Sequence, residues 1–125
     1  MKGLYVIVLV IAILVIGGIG LSASGYFAAK PSDYDGLAKA LTENGVKMYG
    51  TFWCGHCQAQ KAAFGPSWQY IDYVECSLPD RSDQTQACKD AGVNAYPTWM
   101  FPDGTTLLGE QSMQTLADKI GYELA

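Results

Sequence analysis

The sequence has 125 residues and a formal net charge of −4, with twelve acidic residues against eight basic ones. This length allows one small domain and little else. No basic cluster occurs along the chain, and the acidic balance excludes a nucleic-acid-binding face.

The N-terminal segment is apolar. Residues Leu4 to Leu21 contain no charged side chain. As a helix this run is about 27 Å long, close to the thickness of a bilayer core. We therefore expect a single transmembrane helix as membrane anchor at residues 1–24, a linker at 25–33 and a folded domain at 34–125. A cleaved signal peptide ending near Ser22 to Ser24 is the alternative, but the length of the apolar run favours the anchor.

Charge also predicts the orientation of the chain in the membrane. Lys2 is the only charged side chain before the apolar run, whereas all twelve acidic residues follow Lys30. Because a basic flank stays in the cytoplasm, we expect the N-terminus to be cytoplasmic. The C-terminal domain would then lie on the exported face, periplasmic or extracellular.

The first element of the domain is a predicted helix that starts at a cap, Ser32 or Asp33, and ends at Asn44-Gly45. Its apolar residues at helical spacing are Leu37, Ala38 and Leu41.

The elements after this helix alternate in type. In chain order they are a strand at 46–52, a helix at 57–64 that stops at Gly65-Pro66, a strand at 69–76, a loop at 79–82, a helix at 83–92, a strand at 96–101, a turn at 102–104 into a fourth strand, and an amphipathic helix at 112–120. This order predicts an α/β domain with a mixed central sheet flanked by helices.

The stretch TFWCGHCQAQ, residues 51–60, holds two of the four cysteines and the only histidine. Haem attachment requires a histidine directly after the second cysteine, where Gln58 stands. A zinc site requires a second close pair of cysteines, whereas Cys76 and Cys88 are twelve residues apart. We therefore expect no metal and no cofactor, and we interpret the motif as a redox couple.

The position of each motif residue predicts its role. Cys54 would stand where a strand ends and a helix begins, and the unpaired N–H groups and helix dipole there favour a thiolate. Cys54 is therefore the predicted nucleophile, and Cys57, one turn further in and more buried, is the predicted resolving thiol. His56 can stabilise the Cys54 thiolate, which makes the disulfide a stronger oxidant. A solvated surface residue is the alternative for this histidine.

FWCGHC, followed by YPTW about forty residues later, resembles the thioredoxin superfamily. The resemblance implies a thioredoxin-like fold in which the Tyr96–Pro97 bond is cis and Pro97 lies against the disulfide. It also implies that Trp53, Tyr96 and Thr98 contact the substrate, with the backbone of Tyr96 hydrogen-bonding an extended peptide. An edge-strand proline is the alternative for Pro97.

The aromatic residues around the motif have a second interpretation. They would supply apolar surface beside the site or pack in the core of the sheet, and we favour the core for Phe52 and Trp99.

A finer match comes from MYGTFWCGHCQAQK, YVEC and YPTW together. They are similar to the thioredoxin-like domain fused to bacterial vitamin K epoxide reductase homologues. That resemblance implies protein thiols as substrates and a quinone-linked membrane disulfide oxidase of that type as partner. Two departures from thioredoxin weigh against a plain reductase: Met48 stands where thioredoxin has a buried acid, and Gly55-His56 replaces its Gly-Pro.

The other two cysteines have two possible roles. Four cysteines allow three pairings, and if Cys54 pairs with Cys57, then Cys76 remains for Cys88. As a structural disulfide this pair would contribute about 3 kcal/mol in the chain-entropy model. A second redox couple that relays electrons is the alternative.

The expected function is therefore that of a membrane-anchored thiol–disulfide oxidoreductase, an enzyme that oxidises or reshuffles cysteines of exported proteins. An exported reductase, for example in cytochrome maturation, uses the same chemistry in the opposite direction. Two functions of a different class are a metal-binding module built on Cys54, His56 and Cys57 and a redox-silent scaffold.

Overall fold

The computed structural model describes residues 34–124. The predicted anchor, its signal-peptide alternative, the linker and the predicted caps Ser32 and Asp33 lie outside the described residues. In the part of the chain that the structure describes, no helix is long and apolar enough to cross a membrane.

Four α-helices, one 3-10 helix and four strands make up the described chain. The helices are α1 (Asp35–Glu43), α2 (Gly55–Phe64), the 3-10 helix (Gly65–Tyr70), α3 (Gln86–Ala91) and α4 (Met113–Ile120), and the strands are β1 (Lys47–Gly50), β2 (Tyr73–Glu75), β3 (Thr98–Met100) and β4 (Thr106–Leu108).

The strands form one mixed sheet in the order β2-β1-β3-β4. Strands β1 and β2 are parallel, and β3 is antiparallel to both β1 and β4. The register places Gly50 of β1 beside Glu75 of β2. The predicted α/β class with a mixed central sheet is therefore confirmed.

Two hydrophobic clusters cover the two faces of the sheet. Because successive strand residues point to opposite faces, Met48 and Tyr49 belong to different clusters. The larger cluster joins the sheet to α1, α2 and α4 and includes Leu37, Leu41, Met48, Phe64, Trp99 and Leu116. The smaller cluster lies under α3 and includes Tyr49, Cys76, Cys88 and Val93.

In helix α1 the local sequence determines which residues are buried and where the helix ends. Its buried residues are Leu37, Ala38 and Leu41, the three predicted from their spacing. The helix ends because Gly45 adopts a φ of 76°, a left-handed conformation that costs glycine little.

The stretch after α2 differs from the prediction. Gly65, with φ 58°, ends the α-helix as predicted, but the chain continues as the 3-10 helix through Tyr70, where a strand was expected from residue 69. Pro66 suits the first turn of that helix because the N–H it lacks has no partner there. Ser67 Oγ donates to Asp35 Oδ1 at 2.7 Å and holds the 3-10 helix against α1. Strand β2 therefore begins at Tyr73, later than predicted.

A buried amide holds α2 against the sheet. Gln60 Oε1 accepts from Trp99 Nε1 at 3.2 Å and from the Gln111 backbone N–H at 2.7 Å. Its Nε2 donates to the Gln111 carbonyl at 3.1 Å. Because a buried amide without partners would be costly, these bonds fix the side of α2 that faces β3.

Candidate active site

Cys54 lies at the start of α2. It is the N-cap residue, with extended backbone angles, and its Sγ accepts from the Cys57 backbone N–H at 3.2 Å. The strand β1 ends four residues earlier, so the first turn of α2 begins at the sulfur and directs the Cys57 N–H toward it. Cys54 is half-buried, whereas Cys57 is 4% exposed. The two thiols therefore differ in access to a partner.

The burial of Cys57 affects its ionisation. Burial, then a hydrogen bond with Cys54, and the negative charges at Cys54 and Glu75 raise the pKa of the Cys57 thiol from 9.0 to about 12, and a backbone hydrogen bond with Thr51 opposes this shift. At neutral pH Cys57 therefore keeps its proton in the reduced protein.

The segment before β3 lies against Cys54. The Tyr96–Pro97 peptide bond is cis, and the Tyr96 carbonyl oxygen is 3.8 Å from Cys54 Sγ. Pro97 is buried, and its carbonyl accepts from the Gly109 N–H at 2.8 Å. The structure thus brings the Tyr96 carbonyl to Cys54, and the Tyr96–Pro97 bond has the cis form that the family resemblance implies.

Two aromatic side chains lie beside Cys54 at the surface. Trp53 is 46% exposed, donates from Nε1 to Ser77 Oγ at 2.9 Å and meets the Tyr96 ring edge-on at 6.2 Å. Phe52 is 43% exposed and lies under the guanidinium of Arg81. The core prediction is therefore wrong for Phe52, because the chain leaves the sheet at Gly50 and turns its side chain outward.

Two neighbouring residues of YPTW lie inside the protein. Trp99 is fully buried in the core, as predicted. The structure does not bring the Thr98 side chain to the surface: it is buried, and its Oγ1 donates to the Ala95 carbonyl at 2.6 Å. Its hydroxyl closes the turn before β3.

His56 is exposed and has a carboxylate partner. Its Nδ1 is 2.7 Å from Glu110 Oε1, which forms an ion pair when the imidazole is protonated. Sequence reasoning missed Glu110, which lies 54 residues away on the loop after β4. The pairing of β4 with β3 and the hydrogen bonds between Gln60 and Gln111 place this loop beside α2.

A cavity of about 120 Å³ lies beside Cys57. Its lining residues are Thr51, Phe52, Cys57, Gln58, Lys61, Trp68, Tyr73 and Glu75. Sequence reasoning also missed Tyr73 and Glu75. The available signal was their i, i+2 spacing, which puts both side chains on one face of a strand predicted next to the motif.

The remaining two cysteines form a disulfide. Cys76 follows β2 and Cys88 lies in α3, and their sulfurs are bonded at 2.07 Å. Both residues are 0% exposed. Thiol–disulfide exchange requires an attacking thiolate to reach a sulfur, so this burial favours the structural role over a relay.

Among residues 34–124 no group of three or more histidine, cysteine, aspartate or glutamate side chains is arranged to hold a metal ion.

A thiol pair at a helix N-terminus, close to the carbonyl of a cis X–Pro bond that precedes a strand of a mixed sheet, is typical of a class of redox proteins. Residues 31–121 match the family model described as Thioredoxin. The chain belongs to the thioredoxin family, as its motifs predicted.

A curated relative narrows the comparison. Thiol-disulfide oxidoreductase LTO1 of Arabidopsis thaliana is 42% identical over 93 residues, which cover 70% of this chain and 24% of the relative. The chain thus spans about a quarter of the length of that relative. It is a homologue of a thiol–disulfide oxidoreductase.

Proposed function

We propose that this chain is a protein thiol–disulfide oxidoreductase whose redox couple is Cys54 and Cys57. The observation that carries the proposal is the difference in exposure and protonation between the two thiols. Cys54 is partly exposed and its Sγ accepts the Cys57 N–H at the start of α2, whereas Cys57 is buried and holds its proton. An accessible thiolate attacks or is attacked, and the buried thiol closes the disulfide.

The cycle starts from the Cys54–Cys57 disulfide. A substrate thiolate attacks Cys54 Sγ, a mixed disulfide forms, and Cys57 leaves as a thiolate that takes up a proton. A second substrate thiolate then attacks the substrate sulfur of the mixed disulfide and releases Cys54. The substrate gains a disulfide, and the protein keeps two electrons as its dithiol.

The substrate would lie along Trp53 and Tyr96. The exposed indole supplies apolar area next to Cys54. The backbone N–H of Tyr96 has no hydrogen-bond partner within residues 34–124, and its carbonyl faces Cys54 Sγ. An extended peptide bound at the mixed-disulfide stage can pair with both groups.

Location and partner belong to the same proposal. The apolar run from Leu4 to Leu21 and the placement of Lys2 support a single-pass anchor with the domain on the exported face. The motif resemblance supports reoxidation by a quinone-linked membrane enzyme of the vitamin K epoxide reductase type. Exported proteins with free thiols are the proposed substrates.

An exported reductase is the second candidate, and the pair of His56 with Glu110 favours it. A carboxylate 2.7 Å from the imidazole offsets the positive charge that would stabilise the Cys54 thiolate. The direction of electron flow then depends on the reduction potential. Equilibration of the full chain with glutathione measures this potential, and Glu110→Gln should make the couple more oxidising than the wild type.

The proposed function is tested by exchange assays on the full chain. Cys54→Ser should abolish the reduction of insulin by dithiothreitol-recycled protein, because the accessible nucleophile is gone. Cys57→Ser should instead accumulate a mixed disulfide at Cys54 when mixed with a reactive disulfide peptide. Retained turnover in both variants, or adducts formed only through Cys57, would refute the proposal.

A further inference from the structure

The reaction requires a proton to move at Cys57. To close the disulfide, Cys57 must attack Cys54 as a thiolate, yet the thiol is buried and protonated at neutral pH. When the disulfide opens, Cys57 leaves as a thiolate and must be protonated again. A group close to Cys57 that accepts and returns this proton would accelerate both steps.

The cavity beside Cys57 contains one carboxylate. Among its lining residues Glu75 and Lys61 carry formal charge. The two strands bring Glu75 to this position, because it lies opposite Gly50 in the parallel pair of β1 and β2. Gly50 has no side chain, and a Cβ built there would lie 2.9 Å from Cys57 Sγ and 3.2 Å from Tyr73 Cε2. Cys57 and Tyr73 therefore approach each other across a glycine.

Glu75 is held in a fixed orientation. Its Oε1 accepts from the backbone N–H groups of Phe52 and Ser77, both at 3.1 Å. Its Oε2 accepts from the Tyr73 hydroxyl at 2.5 Å. These donors anchor the carboxylate at the cavity wall, with Tyr73 as its neighbour on the same face of β2.

The cavity that Glu75 and Cys57 both line has room for water. The cavity of about 120 Å³ exceeds the volume of about 10–15 Å³ that one water requires. Thr51 also lines it, and its buried hydroxyl has no hydrogen-bond partner in the part of the chain that the structure describes. A water in this cavity would have polar partners.

We propose that Glu75 is the proton acceptor and donor for Cys57, acting through water in this cavity, and that Tyr73 is the residue that positions it. This inference rests on the proposed function. In the closing step the Cys57 thiol gives its proton through water to the Glu75 carboxylate, and Cys57 Sγ attacks Cys54 Sγ. The Cys54–substrate bond breaks, and the substrate leaves as a thiolate. In the opening step each transfer runs in reverse.

The experiment isolates the step made by Cys57. The reduced full chain is mixed with a chromogenic aromatic disulfide, and thiolate release is followed by stopped flow. Attack by Cys54 releases the first thiolate in a reagent-dependent phase. Closure by Cys57 releases the second in a phase independent of reagent concentration.

Glu75→Gln should slow the second phase at neutral pH by roughly 10- to 100-fold, the lower part of the range for a positioned acid–base group. In the wild type this phase should change little between about pH 6.5 and 8.5, because the Glu75 side chain rather than hydroxide takes the proton from Cys57. In Glu75→Gln its rate should rise about tenfold per pH unit, because hydroxide replaces the carboxylate. Tyr73→Phe should give an intermediate loss.

The sign of the effect separates catalysis from simple charge repulsion. The negative charge of Glu75 contributes to the raised pKa of Cys57, so its removal alone would favour the thiolate and speed closure. An unchanged or faster second phase in Glu75→Gln would overturn the proposal. Asp72→Asn is the matched control, because it removes a carboxylate beside the start of β2 that does not line the cavity. An equal slowing in Asp72→Asn would also overturn it.

Failure of this inference is distinguishable from failure of the proposed function. The first phase reports Cys54 alone. If it is present in Glu75→Gln and the second phase is unaffected, Glu75 has no role but the redox couple remains. If neither phase occurs in the wild type, the proposed function itself falls.

Discussion

At the scale of single residues, Gly50 determines how closely Cys57 can approach the sheet. It is buried at the end of β1, where Cys57 Sγ and the Tyr73 ring converge on it. A Cβ at 2.9 Å from the sulfur would be closer than real Cβ atoms come to other atoms. A glycine in a strand interior often marks such a close approach.

Gly50→Ala should therefore displace Cys57 or its helix. We expect the reduced protein to lose about 1–3 kcal/mol of unfolding free energy, the usual cost of overpacking a core. Chemical denaturation of the reduced full chain measures this loss. Gly55→Ala is the matched control, since a Cβ at Gly55 meets nothing within 4 Å. Equal stability of the two variants would show that Cys57 is not packed against β1.

The raised pKa of Cys57 predicts a pH dependence of stability. The thiol loses its proton near pH 9.0 in an unfolded chain but near 12 in the fold. Between these values the folded state binds more protons, so its stability falls as pH rises. The contribution is fully present below pH 9.0 and is lost toward pH 12.

We therefore expect the Tm of the reduced protein to fall more steeply above pH 9.0 than that of the oxidised protein, in which Cys57 cannot titrate. Differential scanning calorimetry of both forms measures the difference. In the reduced state, Cys57→Ser should behave like the oxidised protein in this range. A difference that persists in that variant would assign the effect to another group.

At the scale of elements, local sequence predicted the order of helices and strands but not all of their boundaries. The boundaries of α1 and α4 that were predicted from residue periodicity and end signals lie within a residue or two of the observed boundaries. The observed strands are shorter than the predicted ones. The apolar run in the sequence continues beyond the last residue that pairs with a neighbouring strand. The 3-10 helix after Gly65 was missed, since its hydrogen bond from Ser67 to Asp35 is a tertiary contact.

The site residues also fall into two groups, those that the local sequence predicted and those that it did not. Cys54, His56 and Cys57 are adjacent in sequence, so the motif sufficed to propose them. Glu75 and Glu110 are brought to the site by tertiary contacts, which include the pairing of β2 with β1 and of β4 with β3. The spacing of Glu75 from Tyr73 is a weak local signal, and the sequence contains no local signal for Glu110.

The disulfide between Cys76 and Cys88 joins two elements, the end of β2 and α3, across a separation of twelve residues. Its sulfurs are fully buried. In the chain-entropy model a loop of this length contributes about 3 kcal/mol. Both facts predict a structural role.

Replacing Cys76 and Cys88 together by alanine should lower the unfolding free energy by about 2–4 kcal/mol. Insulin reduction at a temperature where the variant is folded should remain close to that of the wild type. Denaturant unfolding and the reduction assay on the same preparation give the two readouts. Lost turnover with unchanged stability would instead identify the pair as a relay.

At the scale of the whole molecule, the proposed oxidant must be regenerated after each turnover. Oxidising exported compartments such as the bacterial periplasm are maintained by enzymes rather than by a redox buffer. The apolar segment from Leu4 to Leu21 would hold the domain at the membrane surface, which raises its effective concentration near a membrane oxidase. The accessible Cys54 is the residue through which such an oxidase would connect.

We therefore expect Cys57→Ser, expressed as the full chain in its native host, to accumulate a mixed disulfide between Cys54 and a quinone-linked membrane protein of the vitamin K epoxide reductase type. The buried resolving thiol normally releases such a complex, so its removal preserves the bond. Affinity capture under non-reducing conditions, followed by mass spectrometry, identifies the partner. The variant with both Cys54→Ser and Cys57→Ser is the control and should capture nothing. Recovery of a thiol-reducing membrane transporter instead would reverse the proposed direction of electron flow and favour the exported reductase.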